Sequence, residues 1–171
     1  ELLARLCSHG EVAHYLLHEE NREIDLGRNS LQCGRRNDAL KLWLAWRECG
    51  DAGWASLVER FMELADYLEM KIHGHASLHM MSSRIWTNVC FRFAPQGFQG
   101  DLNELNTEIR SRLMQNGNFM VSRSNIGDDV VIRSVITNPK TSEQNLDDFL
   151  HELLRIGDEV VRGMPSEHPY P

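Results

Sequence analysis

The chain contains no long hydrophobic run and no block of basic residues. Its longest apolar stretch, residues 42–46, is far shorter than the roughly 20 residues that a membrane-spanning helix needs. The formal net charge is -7, with 25 acidic against 18 basic side chains, so no positive surface is expected to attract nucleic acid or an anionic membrane. These absences predict a soluble protein whose partners are neither nucleic acids nor membranes.

A secretion signal is also missing, because no basic segment followed by an apolar stretch and a small-residue cleavage site opens the chain. A cytoplasmic protein is therefore expected. The chain begins with Glu1 rather than Met, which predicts a part of a longer polypeptide. The 4 cysteines are widely spread and 42% of the residues are hydrophobic. A core of that size needs no disulfides, so reduced thiols are predicted.

Hydrophobic periodicity predicts two consecutive helices in the first half of the chain. Over residues 36–48 apolar side chains recur at nearly helical spacing, and Gly50 is placed to end that helix. Asp51 is placed to cap the second helix, which Gly74 would end. The predicted apolar face of this second helix consists of Trp54, Leu57, Val58, Phe61, Leu64, Ala65, Leu68 and Ile72.

The second half predicts two strand pairs, each followed by a helix. Residues 88–93 alternate between apolar and polar side chains, and residues 77–81 could form their antiparallel neighbour. Residues 119–122 and 130–136 predict a hairpin around a turn at 125–129. One helix would follow a capping box of Asp101 and Glu104 and run towards Met114; the last would begin at a box of Thr141 and Gln144. This order predicts an α+β unit with helices on one face of an antiparallel sheet.

The histidines give no metal-binding signature. His14 and His18 share a helical spacing, and His73, His75 and His79 form a second cluster. Neither group has a carboxylate or a cysteine at a recognised ligand spacing, so no metal site is expected. The chain also has no phosphate-binding glycine loop and no serine-hydrolase motif.

Arg133 and Tyr15 are unusual for their surroundings. Arg133 lies in a predicted strand between Val131 and Val135 on the same face, so its guanidinium either extends to an edge of the sheet or meets an anion in a cleft. The sequence alone leaves both interpretations open. Tyr15 lies in a polar segment of little periodicity, which is typical of a surface loop.

Seven segments share their order with one enzyme family. The longest is QCGRRNDALKLWLAW at residues 32–46. The others are ELADYL at 63–68, TNVCF at 87–91, MVS at 120–122, RSVITNP at 133–139, DFL at 148–150 and LRIG at 154–157. In these segments the chain closely resembles the group II pyridoxal-phosphate decarboxylases, in particular the branch with glutamate decarboxylase and cysteine sulfinate decarboxylase.

The resemblance implies a fold-type-I enzyme of the α/β pyridoxal-phosphate transferase class, of which this chain is mainly the α+β C-terminal small domain. Residues 1–34 would be the catalytic loop and the end of the large domain, and residues 35–75 the linking helices. Residues 76–163 would be the small domain and residues 164–171 a tail. The resemblance also implies a homodimer, in which the catalytic loop reaches the neighbouring subunit's active site.

Individual roles follow from the same resemblance. The segment HYLL at 14–17 resembles the family's loop tyrosine, which makes Tyr15 the candidate proton donor to the substrate α-carbon. Arg133 falls on the arginine that binds the substrate's side-chain carboxylate in the glutamate enzymes, and a guanidinium can grip a carboxylate or sulfinate with two hydrogen bonds. Cys33 and Gly34 fall on the wall of the neighbouring subunit's active site.

The implied cofactor is pyridoxal 5'-phosphate, which the family holds through a lysine Schiff base. The chain contains Lys41, Lys71 and Lys140, and none of them follows a histidine as the family lysine does. The cofactor lysine is therefore expected in an upstream half of the same enzyme. With that half, the implied reaction is α-decarboxylation of an acidic amino acid such as glutamate, aspartate or cysteine sulfinate.

Two other hypotheses stay open. A non-catalytic domain for dimerisation or partner binding would keep the fold and need no cofactor lysine. An aminotransferase of the same fold is less favoured, because the segment at residues 32–36 has no natural place in it.

Overall fold

The computed structural model describes residues 36–163. The chain divides into two compact units, one up to Gly50 and the other from Asp51 onwards. No helix among the described residues combines the length and the apolar character that crossing a membrane requires.

The first helical element, α1 (Asp38–His73), is two helical segments in succession. Gly50 interrupts it with φ 64° and ψ 176°, a left-handed φ that glycine adopts without steric cost. The prediction that one helix ends at Gly50 and another begins at Asp51 is thus confirmed. The second segment buries Leu64, Ala65, Leu68 and Ile72, which all belong to the predicted apolar face.

Four strands form one antiparallel sheet. They are β1 (Leu78–Met80), β2 (Asn88–Phe93), β3 (Ser122–Ile126) and β4 (Asp129–Val135), and their order in the sheet is β1-β2-β4-β3. The predicted pairing of the first two strands is confirmed, since Leu78 lies opposite Phe93 in an antiparallel register. The alternation in β2 buries Val89, Phe91 and Phe93.

Helices α2 (Leu102–Asn116) and α3 (Glu143–Gly163) complete the domain. The ring of Phe91 meets that of Phe149 from α3 edge-on, with centroids 6.3 Å apart. Phe93 packs against Gly157 of α3 and is hydrogen-bonded to Asn106 of α2. The helices therefore cover the sheet face that carries Phe91 and Phe93, which confirms the predicted α+β domain.

The predicted hairpin had the right position but wrong strand bounds. Its first strand is Ser122–Ile126, not residues 119–122. Ile126 lies directly opposite Asp129, and Gly127 between them has φ 60°. The turn therefore has only two residues, with glycine first, and both strands continue up to it. The sequence predicts a five-residue turn instead. Phe119 instead packs on Phe149, with ring centroids 5.7 Å apart.

The helix caps agree with one prediction and correct the other. Asp101 caps α2, because its carboxylate accepts hydrogen bonds from the main-chain N–H groups of Asn103 and Glu104 at 2.6 and 3.4 Å. The last helix is capped one residue later than predicted. The hydroxyl of Ser142 accepts from the Asn145 N–H at 3.3 Å, and the Asn145 amide oxygen accepts from the Ser142 N–H at 3.0 Å.

Candidate functional site

Arg133 lies in β4 on the sheet face away from α2 and α3. Its cross-strand partners are Cys90 in β2 and Ser122 in β3, and residues directly opposite each other in an antiparallel pair point to the same face. Phe91 of β2 points to the other face, towards the helices. The arginine side chain is exposed.

A cavity of about 520 Å³ opens where β3 begins and where the chain leaves β4 towards α3. It is lined by Arg133, by Lys140 from the turn before α3, and by polar side chains that include Asn118, Asn138 and Asn145. Of the described residues, no aspartate or glutamate lines it. Two cations without a carboxylate make this cavity suited to an anionic ligand.

The partner of Arg133 is neutral. Its Nε–H donates to the Oδ1 atom of Asn88 at 3.0 Å, and no described residue forms an ion pair with it. Arg92 shares the same sheet face but binds the Asp129 carboxylate at 2.9 Å. Because an amide carries no net charge, the Arg133 guanidinium keeps its full positive charge, whereas that of Arg92 is compensated.

Asn88 and Lys140 are the two site residues that sequence reasoning missed. The sequence places Asn88 on the polar face of a strand and in the family segment at 87–91, and it offers Lys140 only as a possible cofactor lysine. A cation seven positions beyond Arg133, after an Asn-Pro turn, could have been connected with the same end of β4. Asn88 gave no such signal, because its approach to Arg133 depends on how β2 and β4 pair.

Three predicted site residues lie outside the described part of the chain. These are Tyr15, the candidate proton donor, and Cys33 and Gly34, the candidate wall residues. Of the two histidine groups, the described one contains His75, whose Nδ1 accepts from the Ser77 N–H at 3.2 Å. Within residues 36–163 no group of three or more possible metal-ligating side chains is present.

Comparison with known proteins identifies a family. A sequence model of the pyridoxal-dependent decarboxylase conserved domain matches residues 7–94, just over half of the 171 residues. Among solved structures, mouse CSAD is 28% identical and has a TM-score of 0.74, with 92% of this chain and 34% of that chain covered.

Two further solved structures share the fold at lower identity. Tryptophan decarboxylase from Catharanthus roseus, in complex with L-tryptophan, is 21% identical with a TM-score of 0.70, over 79% of this chain and 29% of that one. The glutamate decarboxylase domain of a Vibrio parahaemolyticus protein, described as a diaminobutyrate-pyruvate transaminase and L-2,4-diaminobutyrate decarboxylase, is 18% identical with a TM-score of 0.64, over 71% and 26%. The chain thus spans about a third or less of the structures it matches.

Pyridoxal phosphate is the cofactor of this family, and a rice relative was solved with it. A lysine that attaches it must give up its proton, which desolvation or a neighbouring cation favours. Lys71 is in the opposite situation, because its 2.8 Å bond to Asp147 raises its pKa. Lys41 is exposed and bonded to Asp38 at 3.2 Å, and Lys140 lies exposed in a turn. Lys41 and Lys71, which are each bonded to a carboxylate, therefore do not fit the attachment role. The match over residues 7–94 nevertheless shows that the chain belongs to the pyridoxal-dependent decarboxylase family.

Proposed function

We propose that this chain is the C-terminal part of a cytoplasmic pyridoxal-phosphate-dependent α-decarboxylase that acts on an acidic amino acid such as glutamate, aspartate or cysteine sulfinate. The observation that carries the proposal is the uncompensated guanidinium of Arg133 in a cavity without carboxylates. An anionic side chain of a substrate would supply the charge that the protein does not.

Arg133 is proposed to bind the acid group of the substrate side chain. The planar guanidinium presents two parallel N–H groups to a carboxylate or sulfinate, so that it fixes both position and orientation. Lys140 lines the same cavity and adds a second positive charge without the directional fork. The likeness to the tryptophan decarboxylase, at 21% identity, concerns the fold and does not favour an aromatic substrate.

Tyr15 is proposed to deliver the proton to the substrate α-carbon after carbon dioxide has left. The support is the resemblance of HYLL at 14–17 to the family's loop tyrosine. Cys33 and Gly34 are proposed to form part of the wall of the neighbouring subunit's site in a homodimer. Residues 1–34 would then be the catalytic loop, residues 35–75 the linking helices, residues 76–163 the small domain and residues 164–171 the tail.

A lysine from residues outside this chain is proposed to hold the cofactor. Bound pyridoxal phosphate supplies an electron sink for the bond that breaks at the α-carbon. The residues of this chain would bind the substrate, orient its side chain and supply the proton.

The test uses the full-length protein that contains this chain, with carbon dioxide release measured on glutamate, aspartate, cysteine sulfinate and tryptophan. An acidic substrate is expected to react best. Arg133→Ala should raise the KM for that substrate by roughly 10- to 100-fold, because a hydrogen bond to a charged group contributes about 1.5–3 kcal/mol. Arg123→Ala is the matched control, since Arg123 lies on the neighbouring strand and binds Thr107 of α2 at 3.2 Å.

An unchanged KM in Arg133→Ala would refute the role of the arginine. Preferential turnover of tryptophan would refute the substrate class. Tyr15→Phe should still release carbon dioxide but lose normal amine formation, and unchanged amine output would remove Tyr15 from the mechanism. A full-length protein that binds no pyridoxal phosphate and releases no carbon dioxide would favour the non-catalytic domain instead.

A further inference from the structure

We infer that Asn88 is a positioning residue, which orients the Arg133 guanidinium towards the cavity, and that Arg84 holds Asn88 in place through the turn at residues 85–88. This inference rests on the proposed anion-binding role of Arg133. It assigns a role to a neutral side chain that does not itself line the cavity.

The first step is the geometry of the Asn88–Arg133 bond. A guanidinium has five N–H donors in a fixed plane, and the 3.0 Å bond from Nε to Asn88 uses one of them. Fixing Nε fixes the plane of the group, while the N–H groups of the two Nη atoms stay available for a bidentate ligand. A carboxylate in place of Asn88 would also fix the plane, but it would neutralise the charge.

The second step is the rigid backbone of Asn88. Its N–H donates to the Ile85 carbonyl at 3.0 Å, and its carbonyl accepts from the Ile85 N–H at 3.3 Å. On the other side Asn88 pairs with Val135 of β4. The Asn88 side chain therefore starts from a main chain whose N–H and C=O groups are both hydrogen-bonded.

The third step is the strained turn that holds Asn88. Trp86 has φ 55° and is the non-glycine residue with positive φ among the described residues, a conformation that costs energy for a bulky side chain. The residue is 68% exposed, so packing of its side chain does not explain why the strain is kept. Arg84 does, because its Nη1 donates to the Trp86 carbonyl at 2.6 Å.

Arg84 is in turn anchored to helix α1 by two acidic side chains. Its Nε binds the Glu69 carboxylate at 3.0 Å, and its Nη2 binds the carboxylate of Asp66. Both acids lie in α1, and the Arg84 side chain is only 17% exposed. Hydrogen bonds thus join α1 to Arg84, Arg84 to the turn at residues 85–88, and Asn88 at the end of that turn to Arg133.

Substitutions at Asn88 in the full-length enzyme test this inference through the KM for the acidic substrate. Asn88→Ala should raise KM by roughly 5- to 15-fold, the effect of one lost hydrogen bond. Asn88→Asp keeps the shape and the hydrogen bond but adds a charge, and it should raise KM more than Asn88→Ala. A purely structural role predicts the reverse order, since aspartate preserves the turn better than alanine does.

A double-mutant cycle separates this inference from the proposed function. In an Arg133→Ala background both Asn88 substitutions should have no further effect on KM, because Asn88 acts through the arginine. An equal effect in both backgrounds would overturn the positioning role. If Arg133→Ala itself leaves KM unchanged, the proposed function fails, and this result is read independently of Asn88.

The exchange rate of the Arg133 Nε proton, measured by NMR, supplies a readout besides activity. It should rise in Asn88→Ala, and it should also rise in Arg84→Ala if that variant folds. Equal exchange rates in the wild type and Asn88→Ala would overturn the inference whatever the kinetics show. Arg123, whose bond is to Thr107, is the internal control whose exchange should not change.

Discussion

Replacement of Asn106 by leucine is expected to destabilise the domain more than a change of this size usually does. Asn106 is fully buried in α2, with 0% exposure. Its Nδ2 donates to the carbonyls of Phe93 and Leu102, each at 2.8 Å, and its Oδ1 accepts from the Phe93 N–H at 2.8 Å. The paired residues of β2 and β4 extend only to Phe91 and Ile132. At Phe93 the strand β2 therefore has no partner in β4, and the Asn106 amide bonds its main chain there instead.

The expected magnitude follows from the main-chain groups that leucine would leave unpaired. Leucine is nearly isosteric but leaves the N–H and the carbonyl of Phe93 without their partner. Each buried unsatisfied group costs about 1–3 kcal/mol, so the loss of both partners should cost roughly 2–6 kcal/mol. Urea denaturation of the chain should show a lower midpoint at an unchanged slope, because the same surface is exposed on unfolding. Asn116→Leu is the control on the same helix, since Asn116 is exposed and binds Glu152.

Asn106→Asp separates hydrogen bonding from shape. Aspartate can still accept from Phe93, but its second oxygen would face two carbonyls in a site that excludes water. Burial and these carbonyls should raise its pKa above the unfolded value. The unfolded state then binds fewer protons than the native state, so the stability of this variant should fall as the pH rises from 4 to 7. A free energy of unfolding for Asn106→Leu within about 0.5 kcal/mol of the wild-type value would refute this reasoning. A stability of Asn106→Asp that does not change with pH would refute it as well.

Two other substitutions test a packing contact and an ion pair of α3. Gly157→Ala places a Cβ 2.8 Å from the Phe93 ring. The overpacking should lower the stability by about 1–3 kcal/mol, more than the gain in helix propensity raises it. Thermal unfolding measures the difference, and Gly163→Ala, whose Cβ would have no atom within 4 Å, is the control. Hydrogen bonding to Lys71 lowers the pKa of Asp147 below 3.8, so its contribution is present above that pH and is lost as the pH falls through the lower folded value. The stability difference between the wild type and Asp147→Asn should therefore shrink on acidification, and a difference that is constant with pH would contradict it.

Elements with a sustained period could be predicted from the sequence, and element ends that depend on packing could not. The second segment of α1 and strand β2 follow from apolar spacing alone, and Gly50 marks a break that few other residues would tolerate. The cap of α3 shows the opposite case. Thr141 and Ser142 are both good capping residues, and the choice depends on where the buried side chains of α3 let the helix begin.

The candidate site divides in the same way. The sequence shows Arg133 as a charge in an apolar strand, and the structure shows that Arg133 lines a cavity. The sequence does not show that Asn88 is the partner of Arg133. This contact depends on the register between β2 and β4, in which Cys90 lies opposite Arg133. A shift of the pairing by one residue would move Asn88 to the helix-covered face.

The partner of an arginine is more informative about binding than the arginine itself. Arg84, Arg92, Arg112 and Arg155 all bind carboxylates of the same domain. Arg133 has a neutral partner instead, as do Arg60, Arg110, Arg123 and Arg162. The carboxylate of Asp129, on its own strand and sheet face, is bound by Arg92. A purely structural arginine gains most from a carboxylate, because hydrogen bonds between opposite charges are roughly twice as strong as neutral ones. An amide gives up that gain but holds the group in one orientation. What sets Arg133 apart from the other arginines with neutral partners is its place in a cavity that no described carboxylate lines, and this combination favours a binding role over a structural one.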